Sequence, residues 1–319
     1  MTVTNPNVLE ELLRAEVVGI RQAAGLQVFD LQWPVRDGHD YVTLDEAIEQ
    51  NALDVTEVSS GGTVPALKIT NKSNHMVFLM AGEELVGGKQ NRVLNASMLV
   101  PAKGEMPIPV TCVEAGRWGY KSSRFASGTS SSHSHLRMMM SKQVTGSYKA
   151  QGAPKSDQGA VWGEIARKMK SMGSQSSSGA LHDFFQDYAK KFEEVIGALP
   201  HREGCNGAVF AINGKIVGAD LFDKPVTLKK LWAKLIKSYA ADALENPQEK
   251  PARVESSGVL DWLKSASSAR QQWFDSPGIG KDVRIEDKNL VGATLVVDAR
   301  PVHVELFQEE EAPPAARPA

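Results

Sequence analysis

The sequence predicts an α+β fold, with an antiparallel, β-rich N-terminal part and a C-terminal part built from helices and a hairpin. Three observations predict it. Short apolar runs alternating with polar residues fill the first third, Asn213-Gly214 separates two apolar runs, and apolar residues recur at helical period over residues 181–196 and 228–239. The 319 residues, 42% of them hydrophobic, suffice for one large core or two ordinary ones, because domains run to about 100–200 residues. The composition divides the chain into a β-rich part over residues 1–120, a Ser/Gly-rich flexible insertion with one helix over 121–179, an α+β part over 180–307 packed on the first, and a disordered tail over 308–319.

Taken in order, Asn7 opens a stretch that reads equally as a capped helix or, through Val17, Val18 and Ile20, as a strand. Residues 26–33 form a strand that stops at Pro34. Thr43 and Glu46 make a capping box, in which each side chain satisfies a free backbone N–H, so a short helix covers residues 44–50. Strands follow at 54–58 and 65–71, then apolar runs at 76–80 and 108–113. Between residues 121 and 179 the serines, glycines and the SSSHSH run around His133 and His135 have loop composition, interrupted by one helix over residues 160–172. Asn-Gly at 213–214 selects a type I′ hairpin turn, since both central residues need positive φ. Thr227 is placed to cap a long helix whose apolar face is extended by Ser238 and Asp242; if buried, these two need partners. A short helix over 259–266 and one or two strands within 293–307 complete the chain, and the EEEAPPAARPA ending has no core-forming content.

A net charge of −2 gives no global attraction to nucleic acid or to an anionic membrane, so neither is an expected partner, and protein partners are undefined. The two cysteines, Cys112 and Cys205, have no CxxC spacing and make neither a disulfide framework nor a thiolate zinc site. With no signal-peptide pattern at the N-terminus and no apolar stretch near 18 residues, the cytoplasm is the expected compartment.

Polar groups concentrate in two places. Glu83 and Glu84 follow the apolar run at 76–80, and Gly87-Gly88 then opens onto Lys89, Gln90, Asn91 and Arg92, with Asn95 beyond; Glu114, Gly116, Arg117 and Trp118 end the second run. Glycines beside Lys89 and Arg92 allow backbone N–H groups to approach an anion, while Gln90 and Asn91 orient a hydroxyl or a base edge. The spacing is neither a Walker loop nor GxGxxG. Solvated hairpin charges explain the same residues equally well. Glu83, Glu84 and Glu114 are candidate bases, against which stand structural ion pairs with Lys89, Arg92 or Arg117. Cys112 reads as a core thiol rather than a nucleophile. Asp220, at the end of the hairpin, reads either as a site residue or as a turn acceptor.

These motifs, GEEL at 82–85, GKQNR at 88–92 with Asn95, PVTCVEAGRW at 109–118, GKIVGADLF at 214–222 and WAKLIKSYAADA at 232–243, resemble the ADP-ribosylglycohydrolase- and rhodanese-phosphatase-associated protein domain family. The resemblance covers most of residues 26–245. It implies a context of NAD or ADP-ribose metabolism and matches Glu83, Glu84, Lys89, Gln90, Asn91, Arg92, Asn95, Glu114, Arg117, Trp118 and Asp220 to family motif columns. It transfers no catalytic roles and no cofactor. Three functions follow for test. One is a protein that binds or processes a phosphorylated ADP-ribose- or NAD-derived small molecule, with Lys89 and Arg92 on phosphate, Arg117 assisting, Trp118 on a base and Glu84 or Glu114 as catalytic base. The second is an interaction module whose charges form a structural network. The third, a carboxylate-metal hydrolase, lacks supporting histidines, so no metal site is expected.

Overall fold

In a computed structural model describing residues 6–34, 38–59, 61–62 and 64–309, mixed α and β elements are arranged around three sheets. The largest is antiparallel and runs in the order Glu16–Ala23, Leu26–Gln32, Gly207–Ile212, Lys215–Phe222, Arg300–Gln308, Leu290–Val297, Lys281–Asp287, Arg270–Asp275. Six strands make the second: Phe125–Ser131, Glu83–Gly87, Arg92–Leu94, Glu105–Cys112, Ala66–Asn71 and Leu53–Glu57. In the third, Met76–Leu79 pairs parallel with Tyr41–Thr43 and antiparallel with Met98–Val100.

Both faces of the large sheet are covered, so its central strands are apolar on both sides. Val28, Phe210, Phe222 and Phe307 pack with Leu231, Leu235 and Tyr239 of the helix Pro225–Ala243. On the opposite face Phe29, Leu31, Val209 and Leu306 meet Val259 and Leu263 of the helix Ser256–Ser267. A separate core gathers Leu67, Ile69, Leu85, Leu94, Val110 and Phe125 under the helix Leu44–Glu49. That helix has the capping box, with Thr43 N donating to Glu46 Oε2 at 2.9 Å and Glu46 N to Thr43 Oγ1 at 3.5 Å. The hairpin turn is also present, with φ of 48° at Asn213 and 82° at Gly214.

Elsewhere the structure differs from the sequence-based expectation. The stretch after Asn7 divides, giving a 3₁₀ turn at Glu10–Arg14 and then the strand Glu16–Ala23. Over residues 121–179, where loop composition predicts one helix, the chain forms the strand Phe125–Ser131 and two helices, Ser134–Gln151 and Gln158–Met172. The serines that lead into the first helix point inward: Ser130, Ser131, Ser132 and Ser134 are all buried, and that helix buries Leu136, Met140, Val144 and Tyr148 at four-residue spacing. Serine content signals a loop only where the hydroxyls face water.

The stripe over 181–196 is broken at Tyr188 into Leu181–Asp187 and Ala189–Ala198. The long helix begins two residues before Thr227, with Pro225 in its first turn, where a missing N–H is harmless. Thr227 is instead buried inside the helix, its Oγ1 2.9 Å from the Tyr41 hydroxyl. The strands Arg270–Asp275 and Lys281–Asp287 were not expected from the sequence. Of the tail expected over 308–319, Gln308 ends a strand and only Glu309 follows; the remainder lies outside the described residues.

Candidate functional site

Two loops of the six-stranded sheet form the candidate site. The strands Glu83–Gly87 and Arg92–Leu94 are paired, and the turn between them uses Gly87 at φ 137° and Gly88 at φ 49°. A Cβ on Gly88 would lie 2.2 Å from Phe125 Cζ, so only glycine fits there. The second loop leaves the strand Glu105–Cys112 and is fastened at its base by Leu181 N donating to Val113 O at 2.9 Å.

Glu114 and Arg117 lock the two loops together. Arg117 donates through Nε to Glu114 Oε1 at 2.8 Å and through Nη2 to Oε2 at 2.6 Å, while Nη1 reaches the carbonyls of Gly88 and Gly119, each at 2.8 Å. Glu114 also accepts from Asn91 N at 3.0 Å and Ser178 Oγ at 2.9 Å. Burial opposes its ionisation, but these donors and the Arg117 charge hold Glu114 below the ordinary carboxylate range. Gln90 Nε2 adds a bond to Glu114 O at 2.8 Å, and Asn91 Oδ1 accepts from Gly87 N at 3.1 Å.

The backbone donors read from the sequence as an anion cradle already have acceptors. Gly88 N bonds Ser122 Oγ at 3.2 Å, and Lys89 N bonds Glu57 Oε1 at 3.0 Å. Arg92 is different. It is fully buried and donates from Nη1 to Gln90 O at 3.2 Å and Oε1 at 3.3 Å, yet among the described residues neither Nε nor Nη2 has a hydrogen-bond acceptor. The nearest carboxylate oxygen, Glu57 Oε1, stands 4.0 Å from Nη2. Burial pulls the Arg92 pKa down from its usual value, against the opposing influence of Cys112 and Glu57.

Above Arg92 lie exposed rings. Trp118 is 53% exposed with its ring centroid 5.9 Å from Arg92 Cζ, and Tyr120 is 57% exposed. Lys89 Nζ sits between them, 5.4 Å from the Trp118 centroid and 5.1 Å from that of Tyr120, and donates to Gly61 O at 2.6 Å. Beside the rings is a hollow lined by Thr56, Glu57, Ser59, Tyr120, Lys121, Ser122 and Ser123.

Lys89, Gln90, Asn91, Arg92, Glu114, Arg117 and Trp118 therefore come together. Four others do not join them. Glu83 accepts from Lys234 Nζ at 2.7 Å and Met80 N at 2.8 Å, and burial raises its pKa. Glu84 faces Ser130 and His182, so it shares no partner with Glu114. Asn95 ties the sheet to residues 154–156, donating to Pro154 O at 3.0 Å and accepting from Thr111 and Ser156 hydroxyls. Asp220 is fully buried and accepts from Arg137 Nη2 at 2.6 Å, Tyr239 Oη at 2.8 Å and His303 Nε2 at 3.2 Å. Cys112, opposite Arg92 in the strand register, has its thiol pKa pushed up to about 11 by burial, so it stays protonated at neutral pH.

Sequence reasoning missed Glu57, Tyr120, Ser122, Ser178 and His182. Only Tyr120, two residues beyond Trp118, lies close enough to a recognised motif to have been suspected. Among the described residues no three His, Cys, Asp or Glu side chains are grouped to hold a metal, and no helix is long and apolar enough to cross a membrane. No curated protein and no solved structure matches the chain. A family model matches residues 14–307, nearly the whole described fold, and the chain thereby belongs to the ARG and Rhodanese-Phosphatase-superfamily-associated Protein domain family.

Proposed function

We propose that the surface formed by Trp118, Tyr120, Lys89 and the adjoining hollow binds a phosphorylated nucleotide derivative of the ADP-ribose kind. One observation carries this reading: a buried guanidinium, that of Arg92, with two nitrogens lacking acceptors among the described residues, placed directly beneath an exposed indole. A buried charge left partly unpaired is unfavourable unless something completes it, and a phosphate oxygen matches its donors in charge and geometry. Trp118 and Tyr120 offer π-faces to a base, and Lys89 adds a second cation. The family name supports the ligand class, recording association with ADP-ribosylglycohydrolase and rhodanese-phosphatase proteins. In this reading Glu114 and Arg117 shape the loops, and chemistry, if the site performs any, falls to a base outside that locked pair.

Thermal unfolding with ADP-ribose, NAD, ADP and divalent metals tests the proposal, because a ligand of the folded state raises its apparent stability. ADP-ribose is expected to raise the midpoint. Trp118→Ala should weaken binding by about 1–3 kcal/mol, the range for one base stacked on an aromatic ring, and Arg92→Lys should weaken it further by removing the fork. The saturated Glu114–Arg117 pair favours a second reading, an interaction module with a structural charge network. That reading predicts indifference to every small molecule, whereas stabilisation by metal alone would favour a carboxylate-metal hydrolase.

A further inference from the structure

A serine, a histidine and an aspartate from three distant segments meet in one hydrogen-bonded row. Ser97 stands between the strands Arg92–Leu94 and Met98–Val100, Asp220 lies in Lys215–Phe222, and His303 in Arg300–Gln308. In the antiparallel register Asp220 is opposite Glu305 and His303 opposite Phe222, so these four side chains share one face of the large sheet. Ser97 Oγ is 2.9 Å from His303 Nδ1, and His303 Nε2 is 3.2 Å from Asp220 Oδ1. Phe222 stacks on the imidazole with centroids 4.6 Å apart, and Phe78 meets it edge-on at 5.8 Å, which holds the ring in this orientation.

The proton positions follow from charge. Burial opposes ionisation of Asp220, but Arg137, donating to its two oxygens at 2.6 and 3.1 Å, keeps it an anion, and Tyr239 Oη adds a bond at 2.8 Å. An ionised carboxylate only accepts, so the shared proton sits on His303 Nε2 and leaves Nδ1 with its lone pair towards Ser97. The serine hydroxyl therefore donates to Nδ1, and Ala81 N, donating to Oγ at 2.9 Å, fixes its direction. His303, Asp220 and Arg137 are buried, whereas Ser97 is partly exposed, so a reactant meets the hydroxyl first. We propose that Ser97 is the nucleophile of an acyl-transfer site, with His303 as its general base and Asp220 as the positioning residue, acting on activated carboxylic esters such as thioesters and aryl esters. This site does not depend on ligand binding at the Trp118 surface. Oγ bonds to the acyl carbon as its proton passes to Nδ1 and the carbonyl π pair moves onto oxygen. The C–O or C–S bond then breaks, and the leaving group keeps the electron pair and takes the proton from Nδ1. Water repeats the sequence on the acyl-serine, releasing the carboxylic acid and restoring the hydroxyl. With the imidazole only 1% exposed, weakly basic leaving groups, which need little help from a proton donor, are favoured over amines.

Two probes of the full chain test the proposal: an alkyl fluorophosphonate, with the modified residue mapped by peptide mass spectrometry, and p-nitrophenyl acetate, with p-nitrophenol release followed by absorbance. The phosphonyl group is expected on Ser97. Release of p-nitrophenol should be at least about 10²-fold faster from the wild type than from Ser97→Ala, the lower end of what a positioned base supplies. The thermal midpoint of Ser97→Ala checks that the variant folds. Labelling of the wild type itself needs no variant, and it should vanish when the chain is unfolded in urea, because the reactivity comes from the alignment of the three side chains. Absence of a Ser97 adduct in the folded wild type, labelling that persists in urea, or unchanged p-nitrophenol release from folded Ser97→Ala would each overturn the proposal and leave the row a structural network.

Discussion

At the scale of single residues, the candidate site contains one locked ion pair and one incomplete one. Arg117→Ala would leave the Glu114 carboxylate buried without its main partner. Removing one member of a buried pair costs about 3–5 kcal/mol, and the 20% exposure of the Arg117 side chain places the expected loss at or below the low end. Urea unfolding measures it. Glu114 titrates lower in the folded state than unfolded, so its contribution is full above the unfolded value of ~4.3 and is lost as pH falls through the folded value. The wild type should therefore lose more stability than Arg117→Ala on acidification, and equal slopes would contradict this assignment. Glu114, Arg117, Gln90 and Asn91 were legible because they crowd into two short stretches. Glu57, Ser122 and Ser178 were not, since no motif spacing ties them to the two charged stretches and each reaches the site only through folding.

At the scale of elements, the helix Pro225–Ala243 carries a polar edge at four-residue spacing, which keeps side chains on one face. Lys230 pairs with Glu46, Lys234 with Glu83 and Asp45, Ser238 Oγ donates to Ser132 O at 2.6 Å, and Asp242 accepts from Ser134 Oγ at 2.5 Å and His135 N at 2.8 Å. Asp242 also pairs with Lys168, whose side chain is wholly buried. Ser238→Ala is expected to cost about 1 kcal/mol. Asp242→Ala should cost about 3–5 kcal/mol, because among the described residues Lys168 keeps only Glu245 as an ionic partner. Hydrogen exchange should then show faster opening at residues 133–137 before global unfolding. The sequence showed that Ser238 and Asp242 require partners, but the partners come from a segment whose composition imitates a loop. Strong periodicity made the long helix legible; the helix Ser134–Gln151 stayed hidden because its buried face includes Arg137, Ser141 and Thr145 among the apolar residues.

At the scale of the whole molecule, Arg137 joins a helix to two strands of the large sheet. It pairs with Asp220 at 2.6 Å and with Glu305 at 3.2 Å, and Asp220 is held further by Tyr239 and His303. Burial disfavours the ionised Asp220, but Arg137 and His303 more than compensate and hold its pKa far below the usual range; Glu305, less well supported, is pushed up. Arg137→Met should cost at least about 3–5 kcal/mol, because it strands two acids, and Asp220→Asn in the same chain should recover part of the loss. Denaturation of the single and double variants gives the coupling directly. That antiparallel strands dominate was legible from alternation and turn residues. Strand order was not, because pairing of Leu26–Gln32 with Gly207–Ile212 leaves no local trace. The same pairing bears on biosynthesis. A ribosome adding about 5–20 residues per second has finished Leu26–Gln32 many seconds before its neighbour exists, so the hydrophobic ribbon Val28, Phe29 and Leu31 emerges with an open edge. Nascent chains stalled before residue 207 should consequently recruit holding chaperones, and those stalled beyond residue 308 should release them.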